Sequence, residues 1–369
     1  MDRSSQGTAM ECIRRSWVCR EAFAMMSKQL VLITGINGFL GAHVVDYAVK
    51  AGYRVRGTVR SAKVEFARQN TTIYGSDVEV VAVDDLAYGD FTEALKDVDI
   101  VYHAAAPLPG RATPEAALRD AIEGALNLLR QTEKAGIKRF VLQSSIATVR
   151  PISEYATPWT EDDWLPTSKA QALKSTDDFF VYASEKTLAE RAVWEFAEKH
   201  HNIDVTTINP PFFIGPFAPS ARFTDALISQ MSTDVLLYLL LTPTGQPIGP
   251  VMLTIDVRDV ARAVVSSFSS PLASEVGRKR LLFLLHAVGW KEVAEFIGEA
   301  RPELRGRLSK VALSGELPPT PSKPPVDNSR SIELLKLGEL SDWKTAVLAG
   351  VDAVVEAEKN FAKEGKTFH

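Results

Sequence analysis

Between Leu30 and Asn209, short apolar runs alternate with longer segments whose apolar residues recur at helical spacing. The runs Leu30–Thr34, Arg54–Val59, Val78–Asp84, Ile100–Ala104, Phe140–Ser144 and Val205–Asn209 predict strands. Between them, Leu40–Ala51, Phe91–Lys96, Pro114–Ala135 and Tyr182–Lys199 predict helices. Strands that alternate with helices at this spacing are joined by crossovers, so the sheet is parallel and helices cover both of its faces. The expected fold class is α/β, a doubly wound parallel sheet.

From Pro211 the alternation gives way to a Pro-rich and aromatic stretch ending at Pro219, followed by shorter helix and strand fragments. Leu313–Asp327 holds five prolines, too many for a helix or a central strand, and reads as an extended connector. An amphipathic segment, Trp343–Phe361, closes the chain. The expected organisation is a disordered extension over 1–27, a doubly wound domain over 28–210, and a smaller, mainly substrate-binding domain over 211–369. The stretch 251–290 is expected to return to the first domain.

Composition narrows the function. The 369 residues are 46% hydrophobic and 24% charged, enough to bury a sizeable core, and 42 basic against 46 acidic side chains leave a net charge of −4. Such a surface offers no general attraction for nucleic acid. The longest apolar run, Val235–Leu241, is far short of the roughly 20 residues that cross a bilayer, so no membrane span is expected. Cys12 and Cys19 both lie in the N-terminal extension, which leaves no thiol for a disulfide framework or zinc site and fits a reducing, cytoplasmic setting. His200 and His201 are adjacent and point apart on a helix, so no metal site is expected. The extension mixes Arg3, Arg14, Arg15 and Arg20 with Asp2, Glu11 and Glu21, unlike a secretory or mitochondrial leader. With Met25 and Met26 just ahead of the first strand, the folded unit is expected to start near Met26.

Gly35, Gly38 and Gly41 fall at the first strand-to-helix turn, in Thr34-Gly35-Ile36-Asn37-Gly38-Phe39-Leu40-Gly41. The first glycine allows a sharp turn, the second lets backbone approach a pyrophosphate, and the third lets helix and strand pack closely. Helix N-terminal amides then face the anion. Where a dinucleotide site for NAD usually ends its second strand on an acid, this strand ends Val59-Arg60-Ser61-Ala62-Lys63. Arg60 can hold the 2′-phosphate of NADP(H) through two hydrogen bonds, with Lys63 as a second charge, so NADPH is favoured over NADH.

Tyr182 and Lys186 share one helix face, four residues apart, after the strand that ends Gln143-Ser144-Ser145. Open α/β sheets bind ligands at that carboxyl edge. A phenol beside an ammonium has a lowered pKa and can pass a proton to a developing alkoxide, while a serine holds the same oxygen. Ser145, Tyr182 and Lys186 are the candidate catalytic residues, with Lys186 also bonding the nicotinamide ribose.

Together these motifs resemble the extended short-chain dehydrogenase/reductases of the NAD-dependent epimerase/dehydratase superfamily, which have a Rossmann-type sheet. The chain looks most like their dihydroflavonol reductase and yeast aldehyde, ketone or methylglyoxal reductase branch. The stretches that carry the likeness are Val55–Arg60, Lys138–Leu142, Tyr182–Thr187 and Asn209–Pro216, and the resemblance runs from Leu30 to about Phe361. It implies that Ser145, the second serine of its pair, is the catalytic one. It further implies that Asp85 and Leu86 lie beside the adenine, that Ala104 to Ala106 line the cofactor path, and that Pro210 to Phe213 flank the nicotinamide. Ala121 departs from many short-chain enzymes, which carry there an Asn that completes a proton relay.

The resemblance implies an NADPH-dependent ketoreductase or aldehyde reductase, monomeric or homodimeric, acting on a small-molecule carbonyl. The candidate pocket residues Pro107, Leu108, Pro109, Ile146, Phe213, Phe217, Phe223, Leu227 and Met231 are apolar and favour a hydrophobic ketone or aldehyde. Other readings on the same architecture are a 3β-hydroxysteroid dehydrogenase, a nucleotide-sugar epimerase, and an NADP-binding sensor without turnover. Ile146, Ala147 and Thr148 follow Ser145, so the carboxylates of a sugar dehydratase are missing there.

Overall fold

The computed structural model describes residues 28–106, 110, 112–151, 158–222, 228–249, 251–315 and 326–366. The strands are β1 (Leu30–Thr34), β2 (Arg54–Val59), β3 (Val78–Ala82), β4 (Ile100–His103), β5 (Arg139–Gln143), β6 (Asp204–Asn209), β7 (Phe212–Ile214), β8 (Met252–Asp256), β9 (Lys279–Leu282) and β10 (His286–Val288). The helices that matter for the site are α1 (Phe39–Lys50), α2 (Val64–Thr71), α3 (Pro114–Lys134), α4 (Asp178–Ala197) and α5 (Val257–Ser267).

Seven strands form one sheet in the order β3-β2-β1-β4-β5-β6-β9, and every pair in it is parallel. The period of two along β1 assigns its side chains to opposite faces. Val31 and Ile33 pack in one core with Leu40, Val44 and Ala48 of α1 and Val260 and Val264 of α5. Leu30 and Leu32 pack in the other with Leu128 and Leu129 of α3 and Val193 and Trp194 of α4. Helices therefore cover both faces, and the fold is a Rossmann-type doubly wound α/β fold. Strand order reverses between β1 and β4, which opens a crevice above the carboxyl ends of these strands.

Local chemistry sets the helix starts. Thr113 caps α3 by accepting from the Ala116 amide, and Pro114 opens it where no amide partner is needed. Asp177 caps α4 by accepting from the amides of Phe179 and Phe180, so this helix begins a turn before Tyr182.

Several expectations are corrected. Phe91–Lys96 is not a helix: bonds from the Leu95 amide to the Phe91 carbonyl and from the Lys96 amide to the Glu93 carbonyl close turns, and Asp97 at φ 60° ends them. The helix α2 has no counterpart among the expected elements. The stretch 251–290 divides between two sheets, because β8 lies between β7 and β10 in a small three-stranded sheet while α5 and β9 belong to the large one. The small sheet packs through Met252, Ile214 and Val288 against Leu237, Trp290, Val293 and the C-terminal helix Trp343–Lys363. Expectations for 1–27 and for most of the proline-rich connector lie outside the described residues.

Candidate active site

Thr34 ties the two diverging strands together. Its hydroxyl accepts from the amides of Ala104 and Ala105, at 3.1 and 3.0 Å, and bonds His103 Nδ1 at 2.9 Å. Gly35 turns at φ 75°, and a Cβ there would lie 3.3 Å from Ala105; a Cβ on Gly41 would come within 2.2 Å of the Gly35 carbonyl oxygen. Both positions therefore require glycine. Gly38 is the N-cap of α1, with no side-chain cap and no acid in the first turn, so the helix start presents its amides without a carboxylate of its own. Leu40 is buried against the sheet. Phe39 stacks on Phe213 at 6.1 Å and meets Phe217 edge-on at 5.9 Å, joining the loop to the segment after β6.

Arg60 follows β2 and is exposed; its carbonyl accepts from the Lys63 amide at 2.7 Å, while its guanidinium makes no hydrogen bond or ion pair with the described residues. Lys63 is exposed above the Phe66 ring. Asp85 accepts from the amides of Ala87 and Tyr88, and the Leu86 carbonyl accepts from Asn127, so both hold the turn after β3 in shape. Pro210 is buried, and its carbonyl accepts from the Ile146 amide at 2.9 Å. An uncapped helix start, close backbone approach and an exposed guanidinium at the end of β2 suit a dinucleotide carrying a 2′-phosphate.

Ser145, Tyr182 and Lys186 come together at the carboxyl end of β5. Ser145 caps a short 3-10 turn, its hydroxyl accepting from the Ala147 amide at 3.2 Å. Ser144 instead donates to Glu190 at 2.6 Å, which leaves the second serine for the cleft. Burial pushes the Tyr182 phenol up to about 12, and the neighbouring Ser145 hydroxyl opposes that rise. The expected lowering by Lys186 is not seen: its ammonium donates to the Gln143 carbonyl at 3.2 Å, and burial lowers its own pKa. The phenol is thus a neutral O–H donor at neutral pH.

Sequence reasoning missed the layer beneath. Glu190 and Arg280 are both 0% exposed and meet at 2.9 Å. Glu190 also accepts from Thr207 and Asn209. Burial alone would push its pKa up, but Arg280 and the donors around it hold the carboxyl below the usual range. Arg280 continues to the Thr148 hydroxyl and to the carbonyls of Glu161 and Asp163. The available signal was spacing, since Glu190 lies one helical turn beyond Lys186.

A cavity of about 470 Å³ adjoins the triad. Ala147, Leu165, Phe179, Phe180, Ala183, Phe212, Val251 and Leu253 give it apolar walls, and Arg150 and Asp177 are its charged residues. Arg150 pairs with Asp163 at 2.6 Å. Of the expected pocket residues, Ile146 does not line the cavity but is buried in one cluster with its wall residues Val251 and Leu253, and Met231 is enclosed in the C-terminal core. Phe213 and Phe217 pack on Phe39 instead. Pro107, Leu108, Pro109, Phe223 and Leu227 lie outside the described residues.

Comparison with known proteins places this geometry. The chain is 32% identical over 319 residues to an uncharacterized oxidoreductase of Schizosaccharomyces pombe, covering 84% of this chain and 92% of that protein. It is 29% identical over 340 residues to a ketoreductase of Aspergillus niger, covering 88% and 97%. The crystal structure of yeast methylglyoxal/isovaleraldehyde reductase Gre2, complexed with NADPH, superposes with a TM-score of 0.77 at 25% identity, covering 90% of this chain and 99% of that one. Residues 31–279, more than half of the chain and running from the second residue of β1 to the first of β9, match the family model, so the protein belongs to the NAD dependent epimerase/dehydratase family.

Proposed function

We propose that the protein is an NADPH-dependent carbonyl reductase that acts on a hydrophobic ketone or aldehyde. The observation that carries this reading is the convergence of Ser145, Tyr182 and Lys186 beside an apolar cavity. The resemblance to a ketoreductase and to an NADPH-bound methylglyoxal/isovaleraldehyde reductase supports it. The amides at the start of α1 would hold the pyrophosphate, Arg60 the 2′-phosphate, and Lys186 the nicotinamide ribose. Bound there, the reduced nicotinamide supplies the hydride.

The protein's own groups handle the carbonyl oxygen. Ser145 donates a hydrogen bond to it and so favours the negative charge that develops there. Tyr182, whose hydroxyl carries its proton through the neutral range, donates that proton to the oxygen. The walls formed by Phe179, Phe180 and Phe212 exclude water and take the apolar part of the substrate. The test is steady-state NADPH oxidation with a series of aryl and alkyl ketones and aldehydes. Turnover that rises with apolar size supports the reading, whereas NADPH binding without turnover on any carbonyl contradicts it.

A further inference from the structure

Asp84 stands where a 2′-phosphate would be read. It follows β3, whose Ala82 pairs with Val59 at the end of β2, and the Val83 amide donates to the Val59 carbonyl at 2.8 Å. That register brings the Asp84 carboxylate onto Ser61, the residue after Arg60. The Ser61 amide donates to Asp84 Oδ1 at 2.7 Å, and the Ser61 hydroxyl donates to Oδ2 at 2.6 Å. Both donors that Ser61 can offer an anion are thus held by an exposed carboxylate of the chain itself. These two bonds, with help from the Arg60 charge, keep the Asp84 carboxyl below its usual range, so it is ionised at neutral pH.

We propose that Asp84 is a specificity-determining residue that limits the preference for NADPH by competing with its 2′-phosphate for Ser61. This rests on the cofactor reading above. A phosphate drawn in by Arg60 meets a fixed negative charge and finds the Ser61 donors already engaged. A 2′-hydroxyl carries no charge and suffers no such repulsion. Arg60 and Asp84 therefore act in opposite directions on one choice.

The experiment is equilibrium titration of the full chain with NADPH, NADH and adenosine 2′-monophosphate, for the parent, Asp84→Asn and Arg60→Ala. Asp84→Asn removes the charge and keeps an acceptor for Ser61. It should tighten NADPH and adenosine 2′-monophosphate roughly 3- to 10-fold and leave NADH within about twofold, which also serves as the folding control. The gain should shrink in concentrated salt, because these groups are exposed. An unmoved ratio of NADPH to NADH affinity overturns the inference, and so does a lowered one, which would make Asp84 a residue that orients Ser61 toward phosphate. Failure of the parent to bind either dinucleotide overturns the cofactor reading, and this inference with it.

Discussion

Replacing Arg280 with Met would leave Glu190 charged and fully enclosed. Both side chains are 0% exposed, and among the described residues the guanidinium is the only cation paired with Glu190. Ser144, Thr207 and Asn209 would still donate to the carboxylate, at 2.6, 2.8 and 2.8 Å, so its hydrogen bonds would be largely met but its charge would not. Breaking a buried pair in this way costs about 3 to 5 kcal/mol, a large share of the 5 to 15 kcal/mol that typically holds a folded domain together. In the parent, the lowered Glu190 pKa contributes stability above the ordinary carboxylate value, lost as pH falls through the folded-state value. In Arg280→Met, burial is no longer outweighed, the folded-state pKa rises, and the deficit shrinks as pH falls from 8 to 5. Adding Glu190→Gln removes the stranded charge and should recover about 1.5 to 3 kcal/mol of the loss. Urea unfolding of the parent, both single variants and the double variant at the two pH values measures every term. A loss below about 1 kcal/mol in Arg280→Met, strict additivity in the double variant, or a deficit that grows toward acid would refute the reasoning.

Four further outcomes are expected. Burial lifts the Glu185 carboxyl to about 8 from its ordinary 4.5, so its ionisation opposes folding increasingly as pH rises across that window. Glu185→Gln should therefore gain on the order of 1 to 3 kcal/mol over the parent between pH 4.5 and 8 in thermal melts, and a pH-independent gap would contradict this. Arg60→Ala should lower the ratio of NADPH to NADH affinity by about 30- to 150-fold, the loss of one charged phosphate contact of about 2 to 3 kcal/mol, as read by fluorescence titration. Gly41→Ala places a Cβ at 2.2 Å from the Gly35 carbonyl oxygen, so dinucleotide affinity should fall at least about tenfold; unchanged affinity would show that the loop yields freely. Ala147→Leu fills part of the cavity and should raise KM for bulky aryl ketones about tenfold, with NADPH affinity within about twofold.

Local patterns were legible in the sequence where one physical cause dominated. Apolar runs bounded by turns gave β1 to β6, and the glycine spacing marked the start of α1. The Tyr182 and Lys186 spacing pointed to one helix face, and the structure brings Tyr182 to Ser145 and Lys186 to the Gln143 carbonyl two residues before it. Pairings set by distant residues were not legible. Asp84 meets Ser61 only because β2 and β3 align Val59 with Ala82, and Arg280 reaches Glu190 only because β9 joins the sheet beside β6. Phe91–Lys96 had the composition of a helix but too little length to hold one against the turn at Asp97. The pocket walls were misplaced by one residue twice, at Ala147 rather than Ile146 and at Phe212 rather than Phe213. Neighbouring residues point in different directions, and only the structure says which direction meets the cavity. The pKa of Tyr182 was read from Lys186, one helical turn on, whereas burial dominates it.

The proton donor is tested most directly by single-turnover reduction of an aryl ketone in Tyr182→Phe, preloaded with NADPH after its affinity has been measured by titration. The expected result is NADPH affinity close to that of the parent, with the rate of reduction lowered by roughly 10² to 10⁴. Reduction at close to the parent rate would contradict the assignment of Tyr182 as the group that protonates the carbonyl oxygen.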